Sequence, residues 1–187
     1  MITRAIDIVV AGVALVFTSP IIAAAMIAIR LESPGSPIYK QRRVGLDGEP
    51  FEIWKLRTMY LGSDRGPDRA IPKDDPSITR VGAFLRRTSL DELPNLINVL
   101  RGEMAIVGPR PTIQVQVDQY TPRQRRRLEV KPGLTGWAQV NGRVGLPWPE
   151  RIELDVWYVD HRSLRLDLQI LAKTVRLLVT GHGLYTS

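Results

Sequence analysis

The chain contains no cysteine and only two histidines, His161 and His182. The absence of cysteine excludes disulfides, thiolate zinc sites and a cysteine nucleophile. The scarcity of histidine argues against a Ser-His-Asp triad or a multi-histidine metal site, so acid-base chemistry would fall to carboxylates. The sequence also lacks the patterns GxxxxGK(S/T) and GxGxxG, so neither a P-loop nor a Rossmann phosphate site is supported.

Acidic residues are outnumbered, with 19 Asp and Glu against 26 Lys and Arg, and the formal charge is +7. This balance favours anionic partners, and nucleic acid, anionic lipid and phosphorylated metabolites all qualify. The basic run from Arg123 to Val130 is explained by a solvated face or by contact with anionic headgroups. The length of 187 residues and the 44% hydrophobic content predict one domain with a real core.

The segment from Ile8 to Ile29 has no charged residue and is long enough for a membrane helix. A signal peptide would have a shorter apolar core, and a buried helix would need protein on every side. Pro20 predicts a kink because it has no N–H for the carbonyl of Val16, although Ser19 or Thr18 could bond back to a carbonyl one turn earlier. Each half is about half a bilayer long, at roughly 1.5 Å per residue, so a membrane span and a re-entrant loop stay equally open.

Beyond residue 30 the pattern changes to short elements separated by glycine and proline. The residues around the Asp47-Gly48 pair predict two short strands joined by a turn. The polar segment from Gly62 to Pro76 predicts a surface loop, for which a linker is favoured over a lid. A helix near the end is predicted to pack on the core, with the membrane surface as the alternative. Its apolar face comprises Leu164, Leu168, Leu171, Val175 and Leu178.

The stretch "SLDELPNLINVLRG" predicts a short amphipathic helix that ends at Gly102. Ser89 and Glu92 match the S-x-x-E capping box, and Pro94 is tolerable near the first turn. Asp91 and Glu92 then lie in the first turn, where acids are common because they suit the helix dipole.

The surroundings of these two acids favour a functional interpretation. Arg86 and Arg87 come just before them, and "VGPRP" places Arg110 between two prolines, which stiffen the backbone for bidentate phosphate binding. Carboxylates among arginines suit phosphoryl transfer, in which an acid attacks phosphorus or holds a divalent ion while cations neutralise the oxygens. Further on, the glycine-rich "KPGLTGWAQVNGR" could seat a base or could be a tight loop.

With these motifs in place, the chain resembles the bacterial sugar transferase family, also called monotopic phosphoglycosyl transferases, along almost its whole length. The matching segments are the Ser19-Pro20 pair in its apolar setting, "KLRTM", "SLDELPNLINVLRGEMAIVGPRP", "KPGLTGWAQVNGR" and "ELDVWYVDHRSLRLDL". The resemblance implies an α+β fold, a compact, mainly helical cytosolic domain with short β-strands. Residues 1–30 would form a re-entrant membrane helix broken at Ser19-Pro20 with both ends cytoplasmic, and residues 31–187 the catalytic domain.

The resemblance also implies a reaction: transfer of a sugar 1-phosphate from a UDP-sugar to polyprenyl (undecaprenyl) phosphate, which gives a polyprenyl-diphosphate sugar and UMP. This is the first membrane step of exopolysaccharide, O-antigen lipopolysaccharide or glycoprotein assembly. The expected location is the cytoplasmic face of the bacterial inner membrane. The expected partners are these two substrates and membrane lipid, without nucleic acid, and a homo-oligomer is left open. Some relatives carry extra membrane helices or a longer tail, so this chain resembles the minimal catalytic unit.

The resemblance assigns roles to individual residues. Asp91 is expected to be the nucleophile that forms a covalent aspartyl-phosphosugar intermediate, with Glu92 as its partner in an acidic dyad. Magnesium is expected as cofactor. The remaining expected ligands are Arg57, Arg86 and Arg110 for phosphate, Arg143 for the nucleotide, and Asp91 and Asp155 for the metal. A membrane-tethered basic module that binds lipid or nucleic acid without catalysis is the alternative, and a metal-dependent phosphatase is a third hypothesis.

Overall fold

A computed structural model describes residues 2–63, 72, 74–142 and 146–180 of the chain. Arg143, His182 and most of the predicted loop from Gly62 to Pro76 lie outside these residues. The described part is a mixture of helices and short strands, as predicted. In chain order the elements are α1 (Ile2–Glu32), β1 (Ile38–Val44), β2 (Pro50–Leu56), α2 (Arg80–Thr88), α3 (Asn95–Arg101), β3 (Ala105–Val107), α4 (Gln114–Val117), α5 (Pro122–Arg125), β4 (Gly133–Thr135), α6 (Trp137–Asn141), α7 (Trp148–His161) and α8 (Leu164–Thr180).

The strands form two small pairs. β1 and β2 are antiparallel, with Ile38 opposite Leu56, and they are joined through Asp47 and Gly48, which both have positive φ angles. The predicted hairpin is therefore confirmed. β3 and β4 are parallel, and Ala105 lies opposite Gly133.

The first helix continues through Pro20 without interruption. The Ser19 hydroxyl donates a hydrogen bond of 2.8 Å to the carbonyl of Val16, which Pro20 leaves without its usual N–H donor. The Thr18 hydroxyl donates in the same way to the carbonyl of Ala14 at 2.7 Å. The predicted side-chain repair is thus confirmed. A re-entrant break at Ser19-Pro20 is not observed and stays a prediction.

One face of α1 packs on the rest of the domain along the length of the helix. Near its start, Ala11 is fully buried in a cluster with Ile53, Leu96 and Val99. Near its end, Ile29 packs with Leu56 and Leu85, among others. The helix therefore shares the core of the domain instead of standing apart from it.

Polar contacts fasten both ends of α1 to the same domain. The Arg4 guanidinium donates to the carbonyls of Val99 and Leu100, at 2.6 and 2.8 Å, where α3 ends. The carboxylate of Asp7 accepts from the backbone N–H of Ile106 at 2.9 Å. At the other end, the two carboxylate oxygens of Glu32 accept from successive backbone N–H groups in the first turn of α2.

The opposite face of α1 is apolar and exposed. By length and composition the helix could cross a membrane, and little of it is buried within the protein. The exposed side chains include Val9, Val13, Val16, Phe17, Ile21, Ile27 and Leu31. Such a continuous apolar surface is typical of contact with lipid.

The prediction that the apolar face of α8 packs on the core is wrong for four of its five residues, whereas Leu171 packs, partly buried, against the cluster around Ala11. Leu164, Leu168, Val175 and Leu178 are all exposed. The helix packs instead through Leu166 and Ile170, which are buried in a cluster with Tyr158. A helix with apolar residues on two faces buries mainly the one its neighbours reach, so these four residues of the predicted face are left exposed.

Candidate active site

A reversal of the chain between α2 and α3 brings the two acids into position. Ser89 ends α2 in the left-handed conformation, with a φ of 57°, and residues Leu90–Glu92 form a single 3-10 turn before α3 begins. The predicted capping box is wrong, because Ser89 makes no side-chain cap and the Glu92 carboxylate is bound elsewhere. The predicted helix stop at Gly102 is confirmed by its φ of 83°.

Two cations from distant parts of the chain hold Glu92. One carboxylate oxygen, Oε1, accepts from Lys55 Nζ at 2.8 Å and from Arg110 Nη2 at 2.7 Å. Burial opposes ionisation of Glu92, but the charges and hydrogen bonds of Arg110 and Lys55 outweigh it and hold the pKa well below its usual range. Glu92 is therefore a fixed negative charge at neutral pH.

Asp91, the neighbouring acid, has a different environment. Among the described residues, its carboxylate makes no hydrogen bond or ion pair. Burial and the negative charge of Glu92 raise the pKa of Asp91 to about 6, although Lys55, Arg110 and Arg86 act in the opposite direction. At neutral pH the group is therefore an ionised carboxylate of raised basicity, with cations nearby that do not bind its oxygens.

Arg86 and Arg110, which the sequence predicted as phosphate ligands, lie close enough to influence the titration of Asp91. The Arg86 side chain is oriented by a hydrogen bond from its Nε to the hydroxyl of Thr58 at 2.8 Å. Arg110 extends from the loop after β3 and is half exposed, so its outer surface is accessible to a substrate.

Lys55 and Arg43 are site cations that the sequence reasoning did not single out. Both line the small cavity beside Glu92 and Arg110. Burial and the charge of Arg110 lower the pKa of Arg43 to about 10. The period-two pattern of the hairpin could have found them, because Lys55 on β2 and Arg43 on β1 belong to the same face of the paired strands.

Arg57, the third predicted phosphate ligand, is buried and holds the turn that follows α1. Its Nη1 donates to the carbonyl of Pro34 at 2.7 Å, and its Nη2 donates to the carbonyl and hydroxyl oxygens of Ser33, both at 2.9 Å. Its terminal nitrogens are thus used within the fold, and its role toward phosphate stays a prediction.

Close backbone packing fixes the loop that carries Arg110. A Cβ atom on Gly108 would overlap the carbonyl of Lys131, and one on Gly136 would overlap the carbonyl of Gly108. Only glycine allows the "VGPRP" and "PGLTG" segments to approach so closely. The "PGLTG" segment therefore packs against the "VGPRP" segment and holds the loop that carries Arg110.

The structure brings Asp91, Glu92, Arg86 and Arg110 together, but it places Asp155 elsewhere. Asp155 is buried on α7 and pairs with Arg127, 2.6 Å away. Burial raises its pKa to about 6 against the influence of Arg127. Within the described ranges, no group of three or more acidic or histidine side chains could hold a metal ion on its own.

Comparison with known proteins identifies the family of this chain. The family model described as bacterial sugar transferase matches residues 1–181. The chain belongs to the bacterial sugar transferase family. The sugar transferase EpsL of Bacillus subtilis (strain 168) is 45% identical over 182 residues, which cover 97% of this chain and 89% of the relative.

Two other relatives of this sugar transferase have names that state a reaction. Both are UDP-glucose:undecaprenyl-phosphate glucose-1-phosphate transferases. The one from Caulobacter vibrioides is 44% identical over 97% of this chain and 71% of its own length. The one from Escherichia coli (strain K12) is 43% identical over 94% of this chain and 39% of its own length. The protein is thus a transferase, and its exposed apolar helix indicates association with a membrane.

Proposed function

We propose that this sugar transferase moves a sugar 1-phosphate from a UDP-sugar to polyprenyl phosphate through a covalent intermediate on Asp91. The observation that carries the proposal is the contrast between two adjacent acids. Lys55 and Arg110 hold Glu92, whereas the oxygens of Asp91 have no partner among the described residues and its pKa is about 6. The names of the glucose-1-phosphate transferases quoted above support the choice of donor and acceptor.

The proposed chemistry has two displacements at one phosphorus atom. A carboxylate oxygen of Asp91 attacks the phosphorus that bears the sugar, the bond to the bridging oxygen breaks, and UMP leaves with that oxygen. An oxygen of polyprenyl phosphate then attacks the same phosphorus and releases the Asp91 carboxylate. The carboxylate is regenerated and the product is a polyprenyl-diphosphate sugar, so atoms and charges balance.

The cations around Asp91 make an attack by one anion on another feasible. Arg86 and Arg110 lie where they can offset the charge of the incoming phosphates. Glu92 keeps Lys55 and Arg110 in place and prevents them from pairing with Asp91 itself. Its negative charge also keeps Asp91 more basic than an ordinary aspartate.

A magnesium ion belongs to this proposal, and the donor set fits one that arrives with the nucleotide. Magnesium is commonly held by one or two carboxylates together with substrate phosphates and water. Asp91 offers the free carboxylate, whereas both oxygens of Glu92 lie within reach of Arg110. When bound, the ion would neutralise part of the charge of the diphosphate.

We propose further that α1 is re-entrant and that the protein lies on the cytoplasmic face of the bacterial inner membrane, and the contacts of α1 support the first of these two points. Arg4 and Asp7 near one end, and Glu32 at the other, bind the same catalytic domain. If α1 spanned the bilayer, these contacts would require parts of one domain to lie on both sides of a hydrocarbon layer about 30 Å thick. A bend at Ser19-Pro20 would let the apolar face enter lipid while both ends stay with the domain.

The test is a UMP-release assay with magnesium, UDP-sugars and polyprenyl phosphate, combined with intact-protein mass measurement before the acceptor is added. For the wild type we expect a mass gain equal to one phosphosugar. For Asp91→Asn we expect no such gain. Asp118→Asn, which removes an exposed carboxylate on the surface, is the matched control and should retain activity. Undiminished release by Asp91→Asn would overturn the mechanism, and free sugar phosphate as product would indicate a phosphatase.

A further inference from the structure

A buried arginine connects the Arg110 loop to α7. Arg127 is almost fully buried, and its Nη2 donates to the backbone carbonyl of Arg110 at 2.9 Å. Its Nη1 donates to the Tyr120 hydroxyl at 2.6 Å, and that hydroxyl in turn donates to the hydroxyl of Thr112 at 3.1 Å. The guanidinium therefore holds the loop at Arg110 itself and, through Tyr120, two residues further on.

Asp155 is the counter-ion of this arginine. Its Oδ2 lies 2.6 Å from Arg127 Nη2, and its Oδ1 is buried without a hydrogen-bond partner in the part of the chain that the structure describes. The ring of Trp148 covers the guanidinium, with 5.5 Å between Cζ and the ring centroid. Burying the guanidinium without its carboxylate would leave an uncompensated charge in the core.

Asp155 makes no hydrogen bond or ion pair with Asp91 or Glu92 in the described part of the chain. Among the described residues, the charged side chains that shift the pKa of Asp91 are Glu92, Lys55, Arg110 and Arg86, and Asp155 is not one of them. A path of direct contacts leads from Asp155 through Arg127 to the backbone of Arg110, whose side chain then reaches Glu92.

We propose that Arg127 and Asp155 form a positioning pair that fixes the Arg110 loop, and that Asp155 serves the reaction in this way and not as a magnesium ligand. The inference rests on the proposed function, because it assigns the pair to the same site. An arginine that binds a transferred phosphoryl group must be held accurately, since a displacement of about 1 Å can cost about 100-fold in rate.

The test compares a charge-free double variant with the wild type in membrane-like particles. Arg127→Met combined with Asp155→Leu removes both charges and leaves neither buried alone, so the fold should survive where Asp155→Asn loses thermal stability. The readouts are kcat and KM for UMP release, the magnesium concentration for half-maximal rate, and hydrogen exchange of the peptide that covers residues 108–112.

The chain offers a matched control between the same parts of the fold. Arg123 on α5 and Glu153 on α7 form an exposed ion pair at 2.9 Å. Arg123→Met combined with Glu153→Leu should leave all the readouts near wild type, because exposed pairs contribute little.

For the buried pair we expect kcat to fall by about 10-fold to 100-fold, exchange at residues 108–112 to rise, and the magnesium requirement to stay unchanged. A magnesium requirement raised by about 10-fold or more would instead identify Asp155 as part of the metal site. If the double variant kept the wild-type kcat and hydrogen exchange, the pair would have only a packing role and the proposal would be overturned. If the wild type itself releases no UMP, the proposed function fails, whereas the exchange result still decides whether the pair holds the loop.

Discussion

Asp91 and Glu92 are adjacent in sequence and have the same acidic group, yet their surroundings push their pKa values in opposite directions. Glu92 is stabilised as an anion by two cations, whereas burial and a negative neighbour make ionisation of Asp91 costly. Such divergence between paired acids is typical of catalytic sites, where one group is fixed and the other reacts.

The raised pKa of Asp91 predicts that Asp91→Asn is inactive but more stable than the wild type. In the folded protein Asp91 has a pKa of about 6, above the ordinary value of 3.8, so its ionised form destabilises the fold at pH 7 to 8. Thermal unfolding should show a gain of about 1–3 kcal/mol for the variant at pH 7.5. The gain should shrink as pH falls through 6 toward 4, because the wild-type carboxyl then becomes protonated. A gain independent of pH would contradict this account.

A second residue-scale prediction concerns Glu92→Gln. The loss of its negative charge should lower the pKa of Asp91, so the acid limb of the pH profile of kcat/KM should move below about pH 6. The rate at neutral pH should fall by about 100-fold, because Lys55 and Arg110 lose the group that holds them. Glu52→Gln removes an exposed carboxylate from β2 and should change neither quantity. An acid limb that stays in place would show that Glu92 does not act on Asp91.

At the scale of single elements, the sequence correctly predicted the turns and helix ends that neighbouring residues determine. The Asp47-Gly48 turn fixed the hairpin, and Gly102 ended α3 where expected. The capping box failed because Lys55, 37 residues away, and Arg110, 18 residues away, outcompeted the helix terminus for Glu92. Contacts between such distant residues leave no trace in a local pattern.

The exposed line on α8 shows the same limit. An apolar stripe at helical spacing predicts that something covers it but does not distinguish a protein core from a membrane surface. Leu166 and Ile170 are buried in the core, whereas Leu164, Leu168, Val175 and Leu178 are exposed.

A further element-scale prediction tests how α2 supports the site. A Cβ atom at Gly82 would overlap the backbone of Thr58, the residue whose hydroxyl orients Arg86. Gly82→Ala should therefore lower stability by about 1–3 kcal/mol and reduce activity, although alanine is the better helix former by about 1 kcal/mol. Gly12→Ala in α1, where the added atom meets nothing within 4 Å, is the control and should keep or increase stability. Equal effects of the two changes, read by thermal unfolding, would refute the close approach.

At the scale of the whole molecule, the resemblance predicted the family and the reaction class, but the path of the chain needed the structure. The sequence left a span and a re-entrant loop equally open for the apolar segment. The anchoring of both ends by Arg4, Asp7 and Glu32 favours the second arrangement. These contacts join residues up to 99 positions apart, so spacing could not predict them.

Topology can be measured directly, because the chain has no cysteine of its own. Thr3→Cys marks the start of α1, and Glu49→Cys marks the hairpin of the catalytic domain. Under the proposed placement on the cytoplasmic face, both should resist a membrane-impermeant maleimide in intact spheroplasts and react after lysis, because both ends of α1 are bound to the domain. Labelling of Thr3→Cys in intact spheroplasts would require a transmembrane helix instead.

The burial of Ala11 beside Leu96 and Val99 has a consequence for where this enzyme can work. Leu93, which follows Glu92 directly, packs against the same cluster, so the cluster supports the turn that carries Asp91 and Glu92. A shortened protein without α1 would therefore lose the packing that supports its catalytic turn as well as its contact with the membrane. Under the proposed function, detachment from lipid and loss of activity become one event, which confines the start of glycan assembly to the bilayer surface.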